Sequence, residues 1–108
     1  LIVRTWGART TTDNVAAYVR HFRCSLAPEL ETLPGFSGAE ILQRAAGTES
    51  EVEIVVVTRW TSMDAVRGFA GDDVDAAVVE PAAVAVLTSY DRRVKHYAVV
   101  DVPTTDGG

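Results

Sequence analysis

Cysteine is almost absent from this chain of 108 residues: Cys24 stands alone, so no internal disulfide can form and the composition reads as that of a cytoplasmic protein. Basic residues are also scarce. Ten Lys and Arg against 15 Asp and Glu give a formal net charge of −5, and the one basic cluster is Arg92, Arg93 and Lys95. Nucleic acid and anionic membrane surfaces, which need clustered cations, are therefore not expected partners. Long apolar runs are missing as well. Val55–Val57 and Ala76–Val79 fall far below the roughly 18–20 residues that cross a bilayer, and Leu1–Val3 is too short for the apolar core of a signal peptide. Two histidines far apart, with no Cys or carboxylate at ligand spacing, predict no metal site. What remains is 47% hydrophobic and 23% charged, the balance of one globular domain.

The periodicities predict a strand over Leu1–Ala8, then Thr10–Thr12 and Asp13 as capping oxygens for a helix. In that helix Val15, Tyr18, Val19, Phe22 and Leu26 recur on one face, and Cys24 falls opposite them. The helix is expected to pass Pro28 with a bend or to restart there, and to end before the turn Leu33-Pro34-Gly35. Phe36–Ala46 reads as a second strand, Gly47–Ser50 as a hairpin turn and Glu51–Trp60 as a third strand. Thr61 and Ser62 offer N-cap hydroxyls to a helix carrying Ala65, Val66 and Phe69 and ending near Gly71. Residues 72–91 show no clear period, apart from a short helix at Ala82–Leu87; Arg92–Asp101 reads as the last strand and Val102–Gly108 as a tail. The domain is thus expected over residues 1–101.

Strand, helix, strand, strand, helix, strand is the split βαβ or ferredoxin-like order, an α+β fold with a four-stranded antiparallel sheet and both helices on one face. Val52, Ile54, Val56, Thr58 and Trp60 share one side of the third strand, yet Val55 and Val57 make the other side apolar too. At about 1.5–3 kcal/mol for each large apolar side chain, leaving the second side in water is costly. A homodimer packed sheet to sheet is the expected cover.

Histidine carries protons near neutral pH, which makes His96 and His21 candidate bases, against the plainer roles of a structural sheet histidine and a solvated helix edge. Tyr18, on the buried stripe, is either a core tyrosine or a pocket donor. Tyr97 follows His96 and must face the opposite way. Asp72, Asp73 and Asp75 lack the glycine and distal glutamate of a calcium loop and read as a solvated acidic loop.

The stretches IVRTW (residues 2–6), LPGFSGAEIL (33–42), TRWTSMDAVRGFAGDD (58–73) and YDRRVKHYAVV (90–100) together resemble the antibiotic biosynthesis monooxygenase family. The resemblance implies a dimeric α+β barrel with a pocket in each subunit between sheet and helices, lined by the tryptophan that ends the third strand, here Trp60, and approached by Trp6. In the anthrone-type cofactor-independent members an asparagine and a tyrosine assist that tryptophan; Val56 and Val66 occupy those positions here. Haem-degrading members carry an axial histidine where this chain has Phe69, Ala70 and Gly71, so the resemblance implies no haem and no other cofactor. The candidate catalytic set joins the two histidines, His96 and His21, to Trp60, which the resemblance supplies. The implied substrate-binding set is Trp6, Tyr18, Phe22, Val56, Val66 and Phe69. The expected activity is oxidation of an aromatic or polyketide-like compound of secondary metabolism by molecular oxygen. An isomerase or cyclase using the same pocket, and a dimer without catalysis, are the alternatives.

Overall fold

The computed structural model describes residues 1–47 and 50–104. β1 (Ile2–Thr11) leads into α1 (Val15–His21), a π-helical turn over Phe22–Leu26 and α2 (Ala27–Glu31). β2 (Phe36–Ala45), β3 (Glu51–Trp60), α3 (Met63–Ala70), α4 (Pro81–Val84), β4 (Ser89–Tyr90) and β5 (Lys95–Ala98) follow. The sheet order is β2-β3-β1-β4, with β5 on the same edge of β1 as β4. All pairings are antiparallel. This is the expected ferredoxin-like α+β fold, with its final strand broken in two.

The break has a local cause. Between β4 and β5 the chain turns away from β1 to join the 75–77 segment, through Ala77 N–H to Arg92 O and Val94 N–H to Asp75 O at 2.9 and 2.8 Å. Gly7 makes room for it, since a Cβ there would lie 2.8 Å from Asp91 Oδ2. The last strand is therefore shorter than Arg92–Asp101. β1 in turn is longer than Leu1–Ala8, and Thr10 is no helix cap. Its buried hydroxyl donates to Val86 O at 2.6 Å and holds the turn after α4 against the sheet. Asn14 occupies the N-cap of α1 without a side-chain bond.

Pro28 explains the π-helical turn. Proline has no N–H and its ring crowds the carbonyl four residues back, so a regular helix is strained there. The preceding turn widens instead, and Ala27 N–H bonds Phe22 O. A wider turn holds Phe22, Leu26 and Leu30, spaced by four, on one side rather than letting them drift round the helix. Cys24 is exposed, as expected.

β3 alternates without a break between half-buried and buried positions. Its inner side, Val52, Ile54, Val56, Thr58 and Trp60, packs with Ala8, Tyr18, Phe22, Leu30, Val66 and Ala83 to form the core. Ser62 caps α3 by accepting from Ala65 N–H at 3.1 Å. The turn expected over Gly47–Ser50 and the end of the expected tail lie partly outside the described residues. The outer side of the sheet carries Val55, Val57 and the half-exposed Leu42 and Tyr97. Ion pairs border it: Arg9–Glu51, Arg44–Glu53 and Arg59–Glu40.

Candidate active site

A cavity of about 50 Å³ lies between the inner side of the sheet and the helical cover. β1 contributes Arg4 and Trp6, β3 contributes Val56 and Thr58, and the helical run contributes Tyr18, His21, Phe22, Leu26 and Leu30. Phe69 from α3 and Val78, Val79 and Glu80 from the segment ahead of α4 complete the wall, with Ala83 and Val94. The volume admits a water molecule or two and falls well short of the roughly 300 Å³ at which ligand pockets begin. Admission of an organic ligand therefore requires the wall to move.

Of the residues singled out from the sequence, Trp6, Tyr18, His21, Phe22, Val56 and Phe69 meet at this cavity. Trp60, Val66 and His96 do not line it. Trp60 is fully buried behind the wall. Phe36 meets it edge-on at 5.4 Å and Phe69 stacks on it at 5.6 Å, while its Nε1–H donates to Thr58 Oγ1 at 2.9 Å. The indole thus supports two lining residues, Thr58 and Phe69, instead of facing the space itself. Val66 is equally buried, beneath α3.

His96 is held at the sheet edge by two charged neighbours. An arginine can only donate, so the 2.9 Å contact with Arg4 Nη1 places the imidazole lone pair on Nε2 and the proton on Nδ1. Nδ1–H then donates to Asp75 Oδ1 at 3.2 Å. Burial first and the Arg4 charge second push the His96 pKa below the usual 6.5, against the opposing pull of Asp75. The sign follows from the protonated form being disfavoured in the folded state. This contribution to stability is complete above the usual histidine value and is lost as pH falls below it toward the lowered folded value. Urea midpoints measured at about pH 7.5 and about pH 5 should show a steeper acid-side loss for the native protein than for His96→Gln; equal slopes would refute this.

His21 has a different setting. Its Nε2 lies 3.4 Å from Glu80 Oε1, and that carboxylate oxygen is buried with no hydrogen bond of good geometry. Buried polar atoms are nearly always paired, so an unpartnered carboxylate oxygen beside an imidazole at a cavity wall singles this pair out as a candidate functional group. Tyr18 adds a donor. Burial holds its hydroxyl protonated far above the ordinary tyrosine value, so it can donate to an oxygen but not act as a base. Trp6 lies 6.2 Å from Tyr18 and 6.3 Å from Tyr90, its Nε1–H fixed on Asp91 O at 2.7 Å. The aromatic wall is therefore tethered.

Glu80 and Arg4 escaped the sequence reading. Glu80 falls in the stretch without periodicity, and a charged residue in a strand ordinarily reads as solvent-facing. The even phase that Arg4 shares with Trp6 in β1 was the available signal.

The sequence and fold agree with known relatives. The family model for antibiotic biosynthesis monooxygenase matches residues 8–79. Among solved structures, a putative antibiotic biosynthesis monooxygenase from Bacillus cereus superposes with a TM-score of 0.60 at 16% identity, covering 96% of this chain and 97% of that one. The heme-degrader MhuD from Mycobacterium tuberculosis gives 0.57 at 22% identity over 95% and 100% of the two chains. SnoaB, a cofactor-independent oxygenase from Streptomyces nogalater, gives 0.52 at 19% identity over 94% and 95%. No curated protein matches the sequence. With the family model spanning most of the domain and the whole fold reproduced in these structures, the chain belongs to the antibiotic biosynthesis monooxygenase family.

Proposed function

We propose that the protein is a monooxygenase-type enzyme that oxidises a planar, enolisable aromatic compound with molecular oxygen and without a cofactor. The observation that carries this reading is the pairing of His21 with the orphaned Glu80 oxygen in an aromatic-walled cavity. In the proposed reaction His21, steadied by Glu80, takes a proton from a CH2 group beside a ring carbonyl. The resulting carbanion gives one electron to oxygen, and the radical pair joins through a new C–O bond. The hydroperoxide then loses water to leave a second carbonyl. One CH2 and one O2 become one C=O and one H2O, and the proton held by His21 returns to the departing oxygen. Trp6, Phe22 and Phe69 would hold the ring system, and Tyr18 would donate to the anionic oxygen as charge develops. His96, its lone pair engaged by Arg4, would position that arginine and take no proton from substrate.

Oxygen uptake is the test. With chelator-treated protein and a panel of anthrones and hydroxynaphthalenes, one oxygen should disappear per carbonyl formed. Exchange of the CH2 protons into solvent with no oxygen uptake would replace this reading with the isomerase one. The small volume of the cavity favours a third, a dimer without catalysis, which would show neither.

The assembly proposed is a homodimer joined through the outer side of the sheet, because Val55, Val57, Leu42 and Tyr97 otherwise meet water there. Sedimentation at micromolar concentration should give a dimer for the native protein and a monomer for Val57→Asp, which sets two carboxylates in the joint. A native monomer would contradict the proposal.

A further inference from the structure

Arg4 is a buried cation without a direct anion. Its residue exposure is 5%, and among the described residues no carboxylate reaches its guanidinium at ion-pair distance. The nearest negative charge is Asp75, which acts on Arg4 through space and bonds His96 Nδ1 without touching the guanidinium. Its polar contacts are Val74 O at 2.6 Å from Nη1, Ala76 O at 2.9 Å from Nη2, and His96 Nε2 at 2.9 Å from Nη1. These use three of its five N–H donors and leave Nε–H and one N–H of Nη2 without a protein acceptor among the described residues. The guanidinium also lies over the Phe69 ring, 5.5 Å from its centroid, at the cavity wall. Carbonyl oxygens and a neutral imidazole satisfy donors without neutralising charge. A charge removed from water ordinarily has a counter-ion, and a guanidinium with two donors to spare fits a carboxylate in a planar, two-point contact.

We infer that Arg4 is the specificity residue of this cavity and that the substrate is a planar aromatic acid whose carboxylate pairs with it. The inference rests on reading the cavity as the substrate site and adds the chemical class of the substrate. The remaining wall agrees with it. Trp6, Phe22, Phe69 and Val56 offer apolar surface to a ring system.

The test compares two ligands of nearly equal shape, 2-naphthoate and 2-acetylnaphthalene, by calorimetric titration. The native protein should bind the acid at least about tenfold more tightly, the scale of one charge-assisted contact in a dry site. The preference should persist at about pH 9, above the histidine range, because a guanidinium does not titrate there. In Arg4→Gln the preference should vanish while affinity for the ketone stays within about twofold. Arg4→Lys, which keeps the charge on a single point, should retain part of it. Should loss of the Val74 and Ala76 contacts unfold Arg4→Gln, the pH series on native protein decides alone. Equal affinities in native protein overturn the inference and leave the cavity reading intact. So does a preference that disappears by about pH 9, which would belong to an imidazole, or one that survives Arg4→Gln. Binding of neither ligand overturns both.

Discussion

Replacing His21 with glutamine should lower kcat/KM for oxygen-dependent oxidation by about 10²- to 10⁴-fold, the usual contribution of a positioned general base. Glutamine is close to histidine in reach and cannot accept the proton, so folding should be retained and the loss should fall mainly on kcat. Glu80→Gln keeps shape and removes the charge facing Nε2 across 3.4 Å; its loss should be smaller, about 10- to 100-fold. The double variant should be hardly worse than His21→Gln, because the two side chains act as one unit and their effects do not add. His96→Gln sets the contrast. With its lone pair on Arg4 and no surface on the cavity, its replacement should leave the proton-transfer step in place and alter ligand affinity through Arg4. Full activity in His21→Gln, together with a collapse in His96→Gln, would reverse the assignment of base.

Trp60→Ala should remove about 3–5 kcal/mol of stability. For a domain whose whole margin is about 5–15 kcal/mol, that is enough to leave much of the protein unfolded at modest temperature. The indole is fully buried, held between Phe36 and Phe69 and hydrogen-bonded to Thr58. Removing it opens a void that a rigid sheet and a capped helix cannot close. Trp60→Phe should cost less, about 1–2 kcal/mol, since a ring still fills most of the space. Its effect on ligand affinity should be small, because Trp60 reaches the cavity only through its neighbours. Urea unfolding with a tryptophan signal from Trp6 measures both. A stability unchanged in Trp60→Ala would show that the residue is not part of the core.

The sequence exposed the scaffold more clearly than the site, and the reason is physical. β3 shows alternate apolar positions from Val52 to Trp60, and Ser62 stands where a helix needs an oxygen for its free N–H groups. Local patterns of this kind have local causes, and each of these elements is present. The site depends on placements between distant segments. His21 reads as a helix edge on a regular period of 3.6, yet it follows Tyr18 by three residues on α1 and faces the cavity with it, and the widened turn before Pro28 keeps Leu26 and Leu30 on that same side. Glu80 reaches His21 across the fold from a stretch with no periodic signal. Arg4 is hidden by its charge, since nothing in IVRTW reports that two backbone carbonyls near residue 75 will hold the guanidinium indoors. Trp60 stands in a stretch that resembles the family, yet what it touches is set by Phe36 and Phe69, contributed by a neighbouring strand and helix.

The central claim is that ligands enter the cavity between sheet and helical run, against Trp6 and not against Trp60. Quenching of intrinsic fluorescence by 2-naphthoate, measured in native protein, Trp6→Phe and Trp60→Phe, addresses it directly, because each variant leaves one indole to report. The account predicts that Trp60→Phe, in which Trp6 alone emits, shows saturable quenching at near-native affinity, and that Trp6→Phe loses both most of the quenching and part of the affinity. Strong quenching at native affinity in Trp6→Phe, with none in Trp60→Phe, would place the ligand against Trp60 and contradict the site described.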